Sequence, residues 1–155
     1  MKFIVPMVIL VLVVLGGWLY MRGSESAPQV VEQETTTVSN GVQVTKTDTS
    51  KSGSMLPAGF PKDIPVEEAN IKDSYKAYYE KVKATQYTVS YVSKLSKDTL
   101  WKAYSDFMNS DKYSVDPSSS RSLGQISGVM GDDSMSVVIT ANAGVTLVQI
   151  VYLDR

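Results

Sequence analysis

The chain has 155 residues and a formal net charge of −1, and it contains neither cysteine nor histidine. The lack of cysteine excludes a disulfide framework and thiolate metal sites, and the lack of histidine excludes Ser-His-Asp catalysis, Cys-His catalysis and histidine-ligated zinc. The near-neutral charge gives no electrostatic argument for nucleic-acid binding, so we expect no nucleic-acid partner. Because the chain has no cysteine or histidine ligands, we also expect no metal and no cofactor.

An uncharged apolar run of 18 residues, Phe3 to Tyr20, opens the sequence, with Lys2 before it and Arg22 after it. At about 1.5 Å of rise per residue, a helix of this length spans roughly 27 Å, which is close to the hydrocarbon thickness of a bilayer. The run predicts a transmembrane anchor over residues 1–22. We expect the amino terminus inside the cell and the rest of the chain in an extracytoplasmic position.

A cleaved signal peptide is the alternative interpretation of this run. A signal peptide has an apolar core of about 7–15 residues, followed by small residues at the cleavage site. Here the core is longer and ends in Trp18 and Tyr20, a pair typical of the membrane interface, and the small-residue site at Ser24 to Ser26 is poor. We therefore expect a retained signal-anchor and a single-pass protein of the cell membrane.

Residues 23–55 differ sharply in composition from the anchor. They contain polar runs such as Thr35-Thr36-Thr37 and few apolar residues, so the segment buries too little apolar surface to offset the entropy of ordering it. We interpret this segment as a disordered linker, although residues 29–34 and 41–47 alternate weakly enough for a transient strand.

A compact domain is expected over residues 56–155. It opens with prolines at positions 57, 61 and 65, which exclude a helix and a central strand, and we expect Phe60 and Ile64 to be held against the domain. The next segment, 69–84, has apolar residues at both helical and strand spacing. We favour a hairpin with the clear strand 86–93, turning at residues 81–85.

The helix with the best-defined signals runs over residues 96–109. Ser96 is a good N-cap, and Leu100, Tyr104, Phe107 and Met108 form one apolar stripe. Three strands follow at 122–130, 135–141 and 145–153. The predicted fold class is therefore α+β, a ββαβββ antiparallel sheet with one helix packed on it. The strand 145–153 is apolar on both faces, so it should be central, and its second face needs a cover, such as the proline segment, a dimer partner or the envelope.

The phrase FPKDIPV before the first hairpin and the helix sequence LWKAYSDFM resemble a group of small, membrane-anchored, uncharacterised bacterial envelope proteins with a C-terminal α+β domain. The resemblance covers residues 56–155. It implies an envelope location and carries over no catalytic residue.

One group of side chains points to binding. Lysines and tyrosines interleave in a pattern that can hold a sugar polymer or an anionic wall polymer, although a solvated face with core tyrosines explains the same pattern. The candidate binding residues are Lys72, Tyr75, Lys76, Tyr78, Lys81 and Lys83. The adjacent acids Asp132 and Asp133 follow a glycine and predict a turn, and no catalytic residue is identified.

These observations favour a non-enzymatic, membrane-tethered domain that binds or scaffolds in the cell envelope. The expected partners are the membrane, through residues 3–20, and an envelope protein or cell-wall polymer, with a homo-oligomer as a further option. Two alternatives remain open: an accessory subunit that acts through its anchor helix, and a small envelope hydrolase or enzyme accessory.

Overall fold

The computed structural model describes residues 35–47, 56–110 and 113–155, which contain eight β-strands and one α-helix. The helix is α1, Lys97–Ser110, and a short 3-10 turn covers Glu68–Asn70. The strands are β1 Thr35–Ser39, β2 Val42–Lys46, β3 Ile71–Tyr79, β4 Ala84–Ser93, β5 Ser114–Val115, β6 Gln125–Met130, β7 Asp133–Asn142 and β8 Val145–Asp154.

All eight strands belong to one antiparallel sheet, in the order β1-β2-β3-β4-β8-β7-β6-β5. Most neighbours in the sheet are also neighbours in sequence, and short turns join β1 to β2, β3 to β4, β6 to β7 and β7 to β8. The exception is β8, which lies between β4 and β7 and joins the first half of the sheet to the second.

The predicted fold class, a ββαβββ sheet preceded by a disordered linker, is wrong. The structure has eight strands, and two of them, β1 and β2, lie within the segment interpreted as linker. A third extra strand, the two-residue β5, follows the helix and pairs with β6. The interpretation failed because threonine-rich strands bury little apolar surface, whereas the backbone pairing of β2 with β3 orders this hairpin within the sheet.

The hairpin of β1 and β2 forms around Asn40 and Gly41, which both have positive φ, 51° and 76°. Positive φ at both central residues defines a type I′ turn, and Asn-Gly is the preferred pair for it because its twist matches that of the strands. Ser39 and Val42 therefore face each other directly, and the register continues to Thr35 opposite Lys46.

One face of the sheet, which we call the covered face, carries the core. Strand alternation places Val89, Val137, Val148 and Ile150 on this face, and all four are completely buried. Helix α1 packs here through Leu100, Tyr104 and Met108, and its first turn is capped by the Ser96 hydroxyl, which accepts a bond from the Thr99 amide at 3.2 Å.

The proline segment extends the cover beyond the helix. Phe60 and Ile64 are both buried in the core, as predicted from the sequence. The Tyr104 hydroxyl donates to the carbonyl oxygen of Pro65 at 2.6 Å, which fixes the end of this segment to the helix.

The opposite face of the sheet, which we call the open face, carries no helix among the described residues, although Ala77, Thr88 and Val151 on this face are buried. Its side chains on β8 include Val145 and Leu147, which are 42% and 43% exposed. Strand β8 is nevertheless central, as its composition predicted, because it pairs on both sides and buries Ile150 on the covered face.

The predicted anchor, residues 1–22, lies outside the described residues. Within the part of the chain that the structure describes, no helix combines the length and apolar character needed to cross a membrane.

Candidate functional site

A groove of about 390 Å³ lies on the covered face, at the end formed by β1 to β4. Two rows of directly opposed side chains line it. The first row consists of one residue from each of β1 to β4, in sheet order: Thr36, Thr45, Lys76 and Tyr87. The second row consists of one residue from each of β2 to β4: Gln43, Tyr78 and Thr85. We call this feature the polar groove.

The polar groove exists because the cover of this face ends at Tyr87. The ring of Tyr87 contacts Phe60 edge-to-face with 6.3 Å between centroids, so the proline segment stops on this side chain. Gly59 passes directly over it: a Cβ at position 59 would lie 2.6 Å from the Tyr87 hydroxyl oxygen, and the φ of Gly59 is +96°. Beyond Tyr87, towards β1, Gln43 and Tyr78 are exposed, whereas Thr45 is buried.

The lining of the groove is polar and nearly uncharged. Lys76 is its one charged side chain, and the remaining residues offer hydroxyl and amide groups. The Thr36 and Thr45 hydroxyls lie 3.3 Å apart and form a hydrogen bond, which leaves each with further capacity to donate or accept. Tyr78 is 39% exposed, so its ring offers a flat surface at the rim of the groove.

The tyrosine hydroxyl at the end of the groove stays neutral. Burial, and then the nearby charge of Asp154, raise the pKa of Tyr87 above its ordinary value. At physiological pH this hydroxyl is therefore both a hydrogen-bond donor and an acceptor, and it adds no charge to the site.

The structure brings together two of the six predicted binding residues. Lys76 and Tyr78 are two positions apart on β3, so both side chains lie on the covered face and line the groove. Tyr75 lies on the same strand but on the open face, where its strand position is opposite Lys46.

The other three predicted residues lie away from the groove. Lys72 is exposed at the irregularity in the pairing of β3 with β4, between Ile71 and Asp73. Lys81 and Lys83 are exposed in the turn between the same two strands. The six residues therefore do not form one surface, because strand alternation separates side chains that are adjacent in sequence.

Sequence reasoning missed the residues that complete the groove. Gln43, Thr45 and Thr36 come from the segment interpreted as linker, and Thr85 was placed in a turn. The signal that would have found the first three is Asn40-Gly41 between alternating residues, a strong short-range hairpin pattern.

A second depression, of about 400 Å³, lies at the start of α1 beside the β7–β8 turn. It contains Lys94 and Lys97, but the Lys97 ammonium donates to the carbonyl oxygen of Ser122 at 2.6 Å. The described residues contain no group of three acidic side chains placed to hold a metal ion. The polar groove is therefore the stronger candidate site.

Comparison of this chain with protein-family models, with curated proteins and with solved structures finds no match. The assignment of function consequently depends on the sequence and on the groove itself.

Proposed function

We propose that this chain is a membrane-tethered, non-enzymatic domain that binds a hydroxyl-rich polymer of the cell envelope in the polar groove. The observation that carries the proposal is the lining of the groove: four strands present hydroxyls, an amide, one ammonium and an exposed tyrosine ring in two parallel rows.

The chemistry of the lining selects this class of ligand. Hydroxyl and amide side chains both donate and accept hydrogen bonds, which matches the mixed donors and acceptors of a sugar hydroxyl. An exposed tyrosine ring such as Tyr78 provides apolar contact area with a polar tip, which suits the alternating apolar and polar surfaces of a sugar ring. Lys76 favours a ligand that carries negative charge in addition to its hydroxyls.

The shape of the groove favours a polymer over a small molecule. With neighbouring strands about 4.8 Å apart, four strands span roughly 14 Å between the outermost chains. The groove crosses these strands and reaches β1, the edge strand of the sheet, so a ligand can extend past it.

A binding role fits the lining better than hydrolysis. General acid–base catalysis needs a proton donor and acceptor near the substrate, which in hydrolases are most often carboxylates or histidine. The groove lining contains neither, and its single ammonium, Lys76, has no carboxylate beside it within the lining. The predicted anchor at residues 3–20 and the predicted extracytoplasmic orientation would bring such a groove within reach of wall polymers.

The proposal is tested by co-sedimentation of the full chain, in detergent micelles, with purified peptidoglycan sacculi. We expect Tyr78→Ala and Lys76→Ala each to lower the bound fraction at least fivefold. The matched controls are Tyr75→Ala, which removes the same side chain from the other face of the same strand, and Lys72→Ala, which removes an exposed lysine outside the groove.

The controls should bind like the unmodified chain. If the two groove variants bind as well as the controls, the polar groove is not the binding site. If the unmodified chain binds no sacculi, and also fails to bind dextran as a hydroxyl-only probe and polyglutamate as a charge-only probe, the proposed function is wrong.

A further inference from the structure

We propose that β1 is a dimerisation strand: the β1 strands of two copies pair in antiparallel orientation and join two polar grooves into one continuous groove. The dimerisation itself is argued from the edge of the sheet, and its benefit for polymer binding rests on the proposed function.

The two edges of the sheet differ in how they are protected. The β5 edge is only two residues long and is followed by Asp116 and Pro117, and short length, charge and proline all discourage pairing with another strand. The β1 edge has five residues, and its sequence, Thr-Thr-Thr-Val-Ser, contains no charge and no proline. The five residues of β1 thus carry neither the charge nor the proline that commonly prevents strand addition.

The turn fixes which backbone groups of β1 face outward. In a two-residue hairpin the residues flanking the turn, here Ser39 and Val42, form the first hydrogen-bonded pair, and the bonding then alternates along the strand. The N–H and C=O groups of Thr37 therefore point towards β2, and those of Thr36 and Val38 point away from the sheet. Val38 also has 69% of its surface exposed.

This pattern is self-complementary. If a two-fold axis passes beside Thr37, Thr36 of one copy faces Val38 of the other, and the outward groups form about four backbone hydrogen bonds. The register uses all five residues of β1. No charged side chain of β1 opposes another, so like-charge repulsion does not act against the pair.

The same pairing completes the groove. Thr36 lies at the β1 end of one lining row, and Val38 lies directly opposite Gln43 of the other row. Across the two-fold axis, each row of one copy continues into the opposite row of its partner. The open end of each groove thereby meets the other, and the combined groove is about twice as long.

A five-residue strand pair is a small interface, so the dimer in solution is weak. Tethering both copies to one membrane raises their effective concentration and compensates for the small contact area. The strand is therefore suited to a pair that forms on the membrane and is reinforced by a polymer lying across both copies.

Cysteine cross-linking of the full chain in detergent micelles tests the proposal, since the natural sequence has no cysteine. Thr37→Cys places two thiols opposite each other across the axis, in a non-hydrogen-bonded pair whose Cα atoms lie about 4.5 Å apart, within disulfide range. The edge control is Ser114→Cys, an exposed residue of β5.

We expect Thr37→Cys to form a disulfide-linked dimer under mild oxidation at least tenfold faster than Ser114→Cys. Adding Val38→Pro, which removes an outward N–H that pairs with no strand among the described residues, should reduce the rate to that of the control. A rate no faster than the control, or a rate insensitive to Val38→Pro in a variant with an unchanged circular dichroism spectrum, would overturn the proposal.

A charge pair gives an independent test. In vesicles that hold both copies in one membrane, fluorescently labelled Thr37→Lys and Thr37→Glu should each show only background energy transfer between copies, because like charges meet at the axis, whereas their mixture should regain the dimer. A mixture that remains monomeric argues against the two-fold register.

Sacculus binding separates this inference from the proposed function. The oxidised Thr37→Cys dimer should be retained at about a tenfold lower concentration than the reduced protein. Cross-linking without any sacculus binding would contradict the proposed polymer binding and support the dimer. Sacculus binding without cross-linking would support polymer binding and contradict the dimer.

Discussion

The hydrogen bond between Tyr91 and Tyr104 supports a stability prediction, because the available hydroxyl protons fix which of the two tyrosines is the donor. Their hydroxyl oxygens are 2.8 Å apart, and the Tyr104 hydroxyl lies 2.6 Å from the carbonyl oxygen of Pro65. A carbonyl only accepts, so the single proton of Tyr104 goes to Pro65 and Tyr91 must donate to Tyr104. Burial, followed by the influence of Tyr91, raises the pKa of Tyr104, which keeps this proton in place.

The two phenylalanine variants should therefore differ in stability. Tyr104→Phe removes both hydrogen bonds and leaves the Tyr91 hydroxyl without its acceptor in the core, which costs about 2–4 kcal/mol. Tyr91→Phe removes one bond and leaves the bond to Pro65 intact, which costs about 1 kcal/mol. Both side chains are almost completely buried, so solvent does not replace the lost partners.

Urea denaturation of each full-length variant in detergent micelles, followed by far-ultraviolet circular dichroism, measures these costs. The double variant should lose less free energy of unfolding than the two single variants together, because both singles remove the same shared bond. A Tyr91→Phe variant that is destabilised as much as Tyr104→Phe would refute the assigned proton order.

Two further predictions concern the sheet. Ile150→Ala should lower the free energy of unfolding by about 2–5 kcal/mol, because this side chain is completely buried. Leu147→Ala, on the open face, should lower it by less than half as much. Equal losses in denaturation experiments would contradict the assignment of the two faces. A fragment of residues 33–155 should melt at a higher temperature than a fragment of residues 56–155, because the shorter fragment lacks β1 and β2 and exposes the edge of β3. Equal melting temperatures would show that the hairpin of β1 and β2 adds no stability.

The parts of the fold that were predicted correctly are those with local chemical signals. Ser96 caps the helix and the stripe from Leu100 to Met108 has helical spacing, so α1 was placed within one residue of its observed bounds. Phe60 and Ile64 stood out as apolar residues among prolines, and both are in the core.

The parts that were missed depend on tertiary pairing. Strands β1 and β2 are poor in apolar residues, so periodicity gives little signal, and their order comes from pairing with β3. The prediction of the candidate site was incomplete for the same reason. Lys76 and Tyr78 were found by their residue types, but the groove needs Gln43 and Thr45 from a strand that composition alone did not predict.

The position of β8 determines the order in which the sheet can be assembled during synthesis. Strands β1 to β4 and strands β5 to β7 have no strand pairing with each other except through residues 145–154. Each group presents an apolar surface before β8 is made, and pairing over such long sequence separations is slow. A ribosome that stalls before residue 145 therefore leaves two incomplete half-sheets, and the finished core appears only when the chain emerges through β8.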